Sequence, residues 1–249
     1  MYKPKALKLF QNAEKLAEKG QLTKAIHEYK NAVKVDKKFY EAFNNLGNAL
    51  RLCNRLTEAV EAYQSAIKIN PSLKVTTQNL ANTLSELKKF EDALRLYDQV
   101  IKLDESQPKP YLDRSLTYYH LCKFDSALED IDKYISLNPR DTLGHLHKGN
   151  ILNATYNYAG ALKSFETCIT LDPTVSKFFL NHGNTLRKLE KFDSALESYT
   201  KALKLSPTDT TSLIARGNIF REIGQYENAL LDFKNALNFE PESSKAHTF

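Results

Sequence analysis

The chain has 249 residues, a formal net charge of +5 at pH 7, no tryptophan and eight glycines, which is typical of a helical array rather than a loop-rich enzyme. Its charges are interspersed, so they indicate a solvated helix surface and do not predict a nucleic-acid partner. No segment approaches the ~18 apolar residues of a membrane-spanning helix, and the N-terminus lacks the apolar run of a signal peptide. We therefore expect a cytoplasmic, intracellular protein without a membrane partner.

In chain order, the sequence shows helices that alternate in pairs, here called helix A and helix B. In residues 40–73, helix A carries Leu46 and Leu50 on one face, and helix B carries apolar residues around Tyr63 at the same helical spacing. Pro71 ends this helix B, because proline lacks a backbone N–H and disfavours a helical residue before it.

The alternation has a fixed period of 34 residues, which predicts a stacked array of repeats. An alanine early in helix B keeps this interval without a shift in register: Ala25, Ala59, Ala93, Ala127, Ala161, Ala195 and Ala229. After a lead-in of residues 1–5, the predicted repeats are 6–39, 40–73, 74–107, 108–141, 142–175, 176–209 and 210–243.

The end of the sequence raises two expectations. Residues 244–249 read as the start of an eighth helix A or as a tail. Without a complete helix there, the seventh repeat exposes Phe233, Leu237 and Phe239. The chain is then either a fragment of a longer protein, or this uncapped face contacts a partner or a second copy.

Two columns predict how the helices pack. Small residues on helix A let the two helices of a hairpin approach closely: Ala13, Gly47, Ala81, Ser115, Gly149, Gly183 and Gly217. Large residues on helix B are expected to fill the space between repeats: Tyr29, Tyr63, Tyr97, Ile131, Phe165, Tyr199 and Phe233.

Three further expectations concern the position of Leu46, the small position on helix B and the start of helix B. The position of Leu46 becomes basic at Arg114, Lys148 and Arg216, where we expect only partial burial. Tyr134 occupies a position that is small in other repeats and predicts a locally altered packing angle. The predicted N-caps of helices B are Thr23, Thr57, Asp125 and Asp193.

The second repeat resembles the tetratricopeptide repeat family at the following positions: Phe43, Leu46, Gly47, Leu50, Ala59, Tyr63, Ala66 and Pro71. Phe43 stands where the family usually has tryptophan, and the first and third repeats match least well. The resemblance covers residues 6–243. It implies an all-α fold, namely an α-solenoid of stacked helix-turn-helix hairpins in a right-handed superhelix, and a role in protein binding.

No constellation of residues predicts catalysis, a metal site or a cofactor. The sequence has no phosphate-binding glycine loop, and its three cysteines lack metal or redox spacing, which suits a reducing compartment. Cys168 and His182 fall in packing columns and are interpreted as structural. Asp130 and Asp132 are expected on solvated faces of helix B. We therefore predict that this segment is not an enzyme.

The resemblance also implies that helix A lines a concave groove that meets extended peptides. Asparagine recurs at two neighbouring positions of helix A: Asn45, Asn48, Asn79, Asn82, Asn150, Asn181, Asn184 and Asn218. An asparagine amide can donate to and accept from a peptide backbone, although asparagine at these positions also suits a structural role.

Other predicted groove residues form an apolar strip beside a basic patch. They are Leu112, Tyr119, Leu146, Lys177, Leu180, Arg187, Lys188 and Arg221. The apolar members are not required by the packing columns above. Such a surface suits a protein or extended peptide with hydrophobic and acidic residues.

Two functions remain open at this point. The first is a non-enzymatic scaffold that binds a peptide or protein in the groove. The second is the substrate-recognition arm of a larger enzyme, because the asparagines resemble those of O-linked N-acetylglucosamine transferases. This row is interrupted at Asp113, His147 and Ala215.

Overall fold

The computed structural model describes residues 2–240, and these form α-helices without any strand. The helices are α1 (Pro4–Glu18), α2 (Leu22–Val35), α3 (Tyr40–Leu52), α4 (Leu56–Ile69), α5 (Lys74–Glu86), α6 (Phe90–Leu103), α7 (Pro108–His120), α8 (Phe124–Leu137), α9 (Thr142–Ala154), α10 (Tyr158–Leu171), α11 (Ser176–Lys188), α12 (Phe192–Leu205), α13 (Thr210–Glu222) and α14 (Tyr226–Phe239). Odd-numbered helices are helices A, and even-numbered helices are helices B.

The chain divides into two compact units, with the boundary after Asp130 in α8. In unit 1, each helix from α1 to α6 contacts the next one, and α6 contacts α7. In unit 2, the same succession runs from α9 to α14. The helices therefore stack as hairpins, which confirms the predicted all-α solenoid of helix-turn-helix repeats.

The hairpins are held together by an aromatic ring that lies over a small residue. A methyl group added to Gly47 would stand 2.5 Å from Cε1 of Tyr63, and one added to Gly149 would stand 2.5 Å from Cε1 of Phe165. Gly217 has the same relation to Phe233, at 2.6 Å. The small residues on helix A therefore let the two helices of a hairpin approach closely, as predicted. The large residues on helix B were expected to fill the space between repeats. Their rings also contact helix A of their own hairpin.

Each turn from helix A to helix B contains one residue with left-handed backbone geometry. Its φ angle lies between 55° and 79° in all seven turns of the described residues, at Gly20, Asn54, Lys88, Cys122, Tyr156, Glu190 and Gly224. Five of these residues are not glycine, so the sequence gives little signal for this turn.

The predicted N-caps of helices B are wrong. Helix α2 already starts at Leu22, and its bond from the Ala25 N–H to the Gln21 carbonyl (3.0 Å) places Thr23 inside the first turn. The other three lie at the same position: Thr57, Asp125 and Asp193. The N-cap position falls instead on Gln21 and on its counterpart Arg55, and neither forms a side-chain cap.

The expectation for Asp130 is also wrong. Its side chain is buried and accepts two hydrogen bonds from Arg114, at 2.7 Å from Nε and 2.6 Å from Nη2. Arg114 also donates from Nη1 to Asp98 (2.5 Å). Asp132, by contrast, is exposed as expected and pairs with Lys148 at 2.6 Å. The basic residue in the position of Leu46 therefore binds carboxylates sixteen residues away along the chain.

Tyr134 fits into its small position because Gly144 faces it. The ring is 4% exposed, and a methyl group added to Gly144 would stand 2.8 Å from its Cδ1. The tyrosine hydroxyl donates to Asp141. The loss of one small residue on helix B is thus offset by a glycine on the following helix A.

The remaining structural expectations concern Cys168 and the end of the chain. Cys168 is fully buried, as predicted.

Of the three residues predicted to be exposed in the last repeat, Phe239 is 50% exposed, whereas Phe233 is buried against its own hairpin. Leu237 is half-buried. Residues 244–249, with the predicted eighth helix, lie outside the described residues. None of the helices described is long and apolar enough to cross a bilayer.

Candidate functional site

The asparagines at the position of Asn48 are held by a tyrosine of their own hairpin. The hydroxyl of Tyr63 donates to Oδ1 of Asn48 at 2.8 Å. The same bond joins Tyr97 to Asn82 (2.6 Å) and Tyr199 to Asn184 (2.8 Å). Each pair is separated by fifteen residues in the sequence. The tyrosine takes one lone pair of the amide oxygen and orients the amide, so both Nδ2 hydrogens remain for a ligand.

The tyrosine hydroxyls of these pairs stay protonated at neutral pH. Burial raises the pKa of Tyr63 and of Tyr199 to about 12, and it raises the pKa of Tyr97 as well. A protonated hydroxyl donates its only hydrogen to the asparagine oxygen, so it fixes which end of the amide faces outward.

Asparagines of adjacent repeats meet in unit 1. Nδ2 of Asn79 donates to Oδ1 of Asn48 at 3.1 Å, so Asn48 accepts from both its own tyrosine and the next repeat. Asn45 lies beside this pair on α3, and its Oδ1 accepts from Nδ2 of Asn44 at 3.1 Å. We call the side of helices A that carries the predicted asparagines the asparagine face; it is described separately in each unit.

Open clefts lie along the asparagine face of unit 1. One cleft of about 520 Å³ is lined by Asn48, Arg51, Leu52, Tyr63 and Glu86. A second cleft of about 270 Å³ contains Asn45 and Asn48 together with Tyr29 and two glutamates of α1. Both clefts combine amide groups with an exposed apolar side chain, since Leu52 is 74% exposed and borders both.

The ion pair in the larger cleft was not anticipated from the sequence. Nε of Arg51 donates to Oε1 of Glu86 at 3.0 Å, and Nη2 reaches the same oxygen. Arg51 belongs to one repeat and Glu86 to the next, at a separation of thirty-five residues. In the sequence, this pair is visible only as two opposite charges whose separation exceeds the 34-residue period by one. Many other surface charges in the sequence have similar separations, so the pair does not stand out.

The asparagine face of unit 2 is less regular. Asn184 has its tyrosine, but the residue fifteen positions after Asn150 and after Asn218 is a phenylalanine, Phe165 or Phe233, which has no hydroxyl to donate. Oδ1 of Asn218 is buried, and within residues 2–240 it has no hydrogen-bond partner. Asn181 is half-buried, and its backbone carbonyl accepts from the hydroxyl of a threonine one turn later.

The apolar strip takes part in packing more than expected. Leu112 is 5% exposed and Leu146 is 9% exposed, so both serve the core, which the packing columns did not anticipate. Leu180 is half-buried. Tyr119 is also half-buried, with its ring at an edge-on angle to that of Phe124 (5.8 Å between centroids).

The basic patch lies in unit 2 and is only partly brought together. Lys177, Lys188 and Arg221 are exposed. Arg187 is half-buried and lies 3.6 Å from Oε1 of Glu222. Burial lowers the pKa of the His147 imidazole, and the positive charge of Lys177 lowers it further.

His182 has a structural environment, as predicted. Its Nδ1 is 3.0 Å from the hydroxyl of Ser198, and its Nε2 is 3.8 Å from Oε1 of Glu166. Burial lowers the pKa of its imidazole. Across the described helices, no cluster of three or more histidine, cysteine or acidic side chains is arranged to hold a metal ion.

Comparison with protein families gives a consistent result. Models described as tetratricopeptide repeat match residues 40–73, 75–103 and 180–245, and one described as TPR repeat matches residues 13–52. No curated protein sequence matches the chain.

Solved structures show the same fold. A tetratricopeptide repeat protein from Parabacteroides merdae aligns over 98% of this chain and 96% of its own, with 22% identity and a TM-score of 0.78. The C-terminal part of a TPR repeat-containing protein from Cytophaga hutchinsonii aligns over 95% and 97%, with 16% identity and a TM-score of 0.77. YrrB, described as a TPR protein with an unusual peptide-binding site, aligns over 75% and 96%, with 21% identity and a TM-score of 0.59. At these identities the likeness concerns the fold alone.

Proposed function

Because the chain belongs to the tetratricopeptide repeat family, a family of protein-interaction scaffolds, we propose that its asparagine face binds an extended peptide segment of a partner protein. A solenoid of this kind offers a long surface built from equivalent positions of successive repeats. An extended peptide presents backbone carbonyls at regular intervals, and these need donors.

The observation that carries this proposal is the fixed orientation of the asparagine amides. In three repeats a buried tyrosine holds the amide oxygen, at Asn48, Asn82 and Asn184. The Nδ2 groups are thereby arranged in advance as donors for peptide carbonyls, which reduces the entropy lost on binding. Donors that recognise the peptide backbone act on any side-chain sequence.

Selectivity would come from the groups around the asparagines. In unit 1, Arg51 and Glu86 are close to Asn48, so a charged ligand residue can exchange with one partner of their ion pair. In unit 2, Lys177 and Lys188 give the face a positive potential that favours acidic ligand residues. A cytoplasmic location and self-association through the last repeat remain predictions from the sequence.

The test is a peptide-display selection followed by affinity measurement on matched variants. Asn48→Asp, Asn82→Asp and Asn184→Asp together keep an oxygen for each tyrosine hydroxyl and remove the Nδ2 donors. We expect this triple variant to keep its thermal stability and to lose at least about tenfold in affinity for the selected peptides. Gln64→Glu, Gln99→Glu and Asn228→Asp add the same charge at exposed amides of helices B and serve as the control.

Equal affinity of the wild type and the Asn48/Asn82/Asn184 variant would refute the role of the asparagine face. An equal loss in the control variant would assign the effect to net charge instead of to the amide donors.

A further inference from the structure

The positive charge of the chain is concentrated in its first repeat. Residues 1–39 contain ten lysines and four acidic residues, a net charge of +6, whereas the other 210 residues contain 25 basic and 26 acidic residues, a net charge of −1. Several of these lysines lie on one side of α1. The first repeat therefore differs from the others in its net charge and in the lysines on one side of its first helix.

The lysines of α1 occupy positions that are buried in other repeats. Lys8 corresponds to Ala42 and Thr76, which are at most 3% exposed. Lys15 corresponds, in the same unit, to the buried residues Ala49, Thr83 and Thr117. In α3, Ala42 packs against the preceding helix B, in one cluster with Ala32. Lys8 and Lys15 therefore mark the side of α1 on which, in later repeats, a preceding hairpin lies.

An open cavity of about 680 Å³ lies on this side of α1. It is lined by Lys5, Lys8, Leu9, Gln11, Asn12, Lys15 and, from α2, Glu28. Three lysines thus face one carboxylate, and within the described residues none of the three lysines forms an ion pair.

Later repeats show what fills the corresponding place. Asn12 corresponds to Arg114, Lys148 and His182, and each of these meets an acidic residue of the preceding helix B. The distances are 2.5 Å from Arg114 to Asp98, 2.6 Å from Lys148 to Asp132 and 3.8 Å from His182 to Glu166. At Arg114 and Lys148 the molecule itself thus pairs a cationic side chain of helix A with an acidic side chain of a helix packed against it.

We propose that the lysine-bearing side of α1 binds an acidic amphipathic helix of a partner protein, which packs on α1 as a preceding helix B packs on a later helix A. Carboxylates of the partner helix lie between Lys5, Lys8 and Lys15, and its apolar residues cover Leu9 and the stems of the lysines.

A second copy of this chain does not match that surface. Stacking of α14 on α1 of another molecule would place Lys234 at the position that Asp98, Asp132 and Glu166 hold in the later repeats. A lysine would then lie at Asn12, in the cavity that Lys8 and Lys15 also line, which is unfavourable. The charge pattern therefore selects an acidic helix from another protein.

The test uses the full chain and a synthetic amphipathic peptide of about 18 residues, longer than the ~12–15 residues below which isolated helices are marginal, with a leucine stripe flanked by glutamates. Fluorescence anisotropy measures its affinity for the wild type, for Lys8→Glu/Lys15→Glu and for the control Lys24→Glu/Lys34→Glu. Both double variants lower the net charge from +5 to +1, and the control lysines are exposed on α2. We expect the first variant to bind at least about tenfold more weakly and the control to change by less than about threefold.

Three results would overturn the proposal. Equal weakening in both variants would show that net charge alone matters. Equal binding of a peptide with glutamine in place of glutamate would remove the acidic requirement. Binding of phosphatidylserine vesicles or a single-stranded oligonucleotide, with no binding of the helix, would assign the surface to a different class of partner. Lys8→Gln/Lys15→Gln repeats the measurement if the charge-reversal variant proves unstable.

Discussion

At the scale of single residues, the hydrogen bond between tyrosine and asparagine links packing to function. Tyr63, Tyr97 and Tyr199 are at most 1% exposed and form the core of their hairpins, yet each hydroxyl reaches the asparagine face. In the fourth repeat, both positions are apolar, with Leu116 and Ile131. In this repeat the polar pair is thus replaced as a unit, whereas in the seventh repeat Phe233 leaves the buried Oδ1 of Asn218 without a partner among residues 2–240.

Phe233→Tyr should stabilise the protein by about 1 kcal/mol. The new hydroxyl stands fifteen residues after Asn218, as Tyr63 does after Asn48, and it can donate to the buried Oδ1 of Asn218. Urea denaturation monitored by circular dichroism measures the gain. Tyr97→Phe is the reverse change and should cost a similar amount. Loss of stability in Phe233→Tyr would show that Asn218 cannot accept this bond.

Lys88→Gly should stabilise the protein by about 0.5–1 kcal/mol. Lys88 has a φ angle of 59° in the turn between α5 and α6, a geometry that costs a residue with a side chain more than it costs glycine. Lys88→Ala removes the same charge without relieving the backbone and serves as the control. If alanine and glycine gave the same stability, the turn would not be strained.

At the scale of helices, the two helices of a hairpin are joined by polar contacts as well as by apolar columns. The column that holds Leu46 and Leu80 in the second and third repeats holds Arg114 in the fourth repeat, where it binds the buried Asp130. In the seventh repeat, Arg216 binds the buried Asp232 in the same way, at 2.8 Å. Polar and apolar residues therefore fill one structural position.

Asp130→Ala should destabilise the protein by about 3–5 kcal/mol, because it leaves the half-buried guanidinium of Arg114 without its main partner. Asp132→Ala is the matched control two residues away, and it removes an exposed partner of Lys148 at a cost below about 1 kcal/mol. Equilibrium unfolding in urea compares the two variants. Equal effects would contradict the burial that separates these aspartates.

Acid should destabilise the protein through His147 and His182. Burial lowers the pKa of both imidazoles below 6.5, so the unfolded chain binds more protons than the folded one. Stability attributable to them is present above pH 6.5 and is lost as the pH falls through and below that value. The variant His147→Gln/His182→Gln should lose less stability than the wild type between pH 7.5 and 5, as measured by urea unfolding. Parallel losses would contradict this assignment.

At the scale of the whole molecule, the period of the sequence was sufficient to predict the fold. The alanine column and the small residues facing aromatic rings require hairpins of constant geometry, and the fourteen helices of the described residues follow that register. Interactions of two residues from separate columns were harder to predict. Asp130 reads as a surface residue because its partner, Arg114, lies in another helix, and each alone suits a solvated position.

The asparagine face was predictable in position but not in chemistry. Recurrence of asparagine on helix A located it, whereas the bonds from Tyr63, Tyr97 and Tyr199 depend on the side chains of two columns meeting at the edge of the core. The left-handed residues of the turns escaped prediction because most of them, such as Lys88, are not glycine. Periodicity thus indicates where residues lie, and packing decides which of their atoms remain available.

The most direct test of the binding account is nuclear magnetic resonance of the asparagine side chains during titration with a display-selected peptide. The protein carries isotope-labelled asparagine, and single substitutions assign the signals. We expect the Nδ2 signals of Asn48 and Asn82 in unit 1 to shift and to exchange more slowly with solvent, because each amide donates to a peptide carbonyl. A peptide that binds while the signals of Asn48, Asn82 and Asn184 all stay unchanged would contradict the account and place its binding site elsewhere on the molecule.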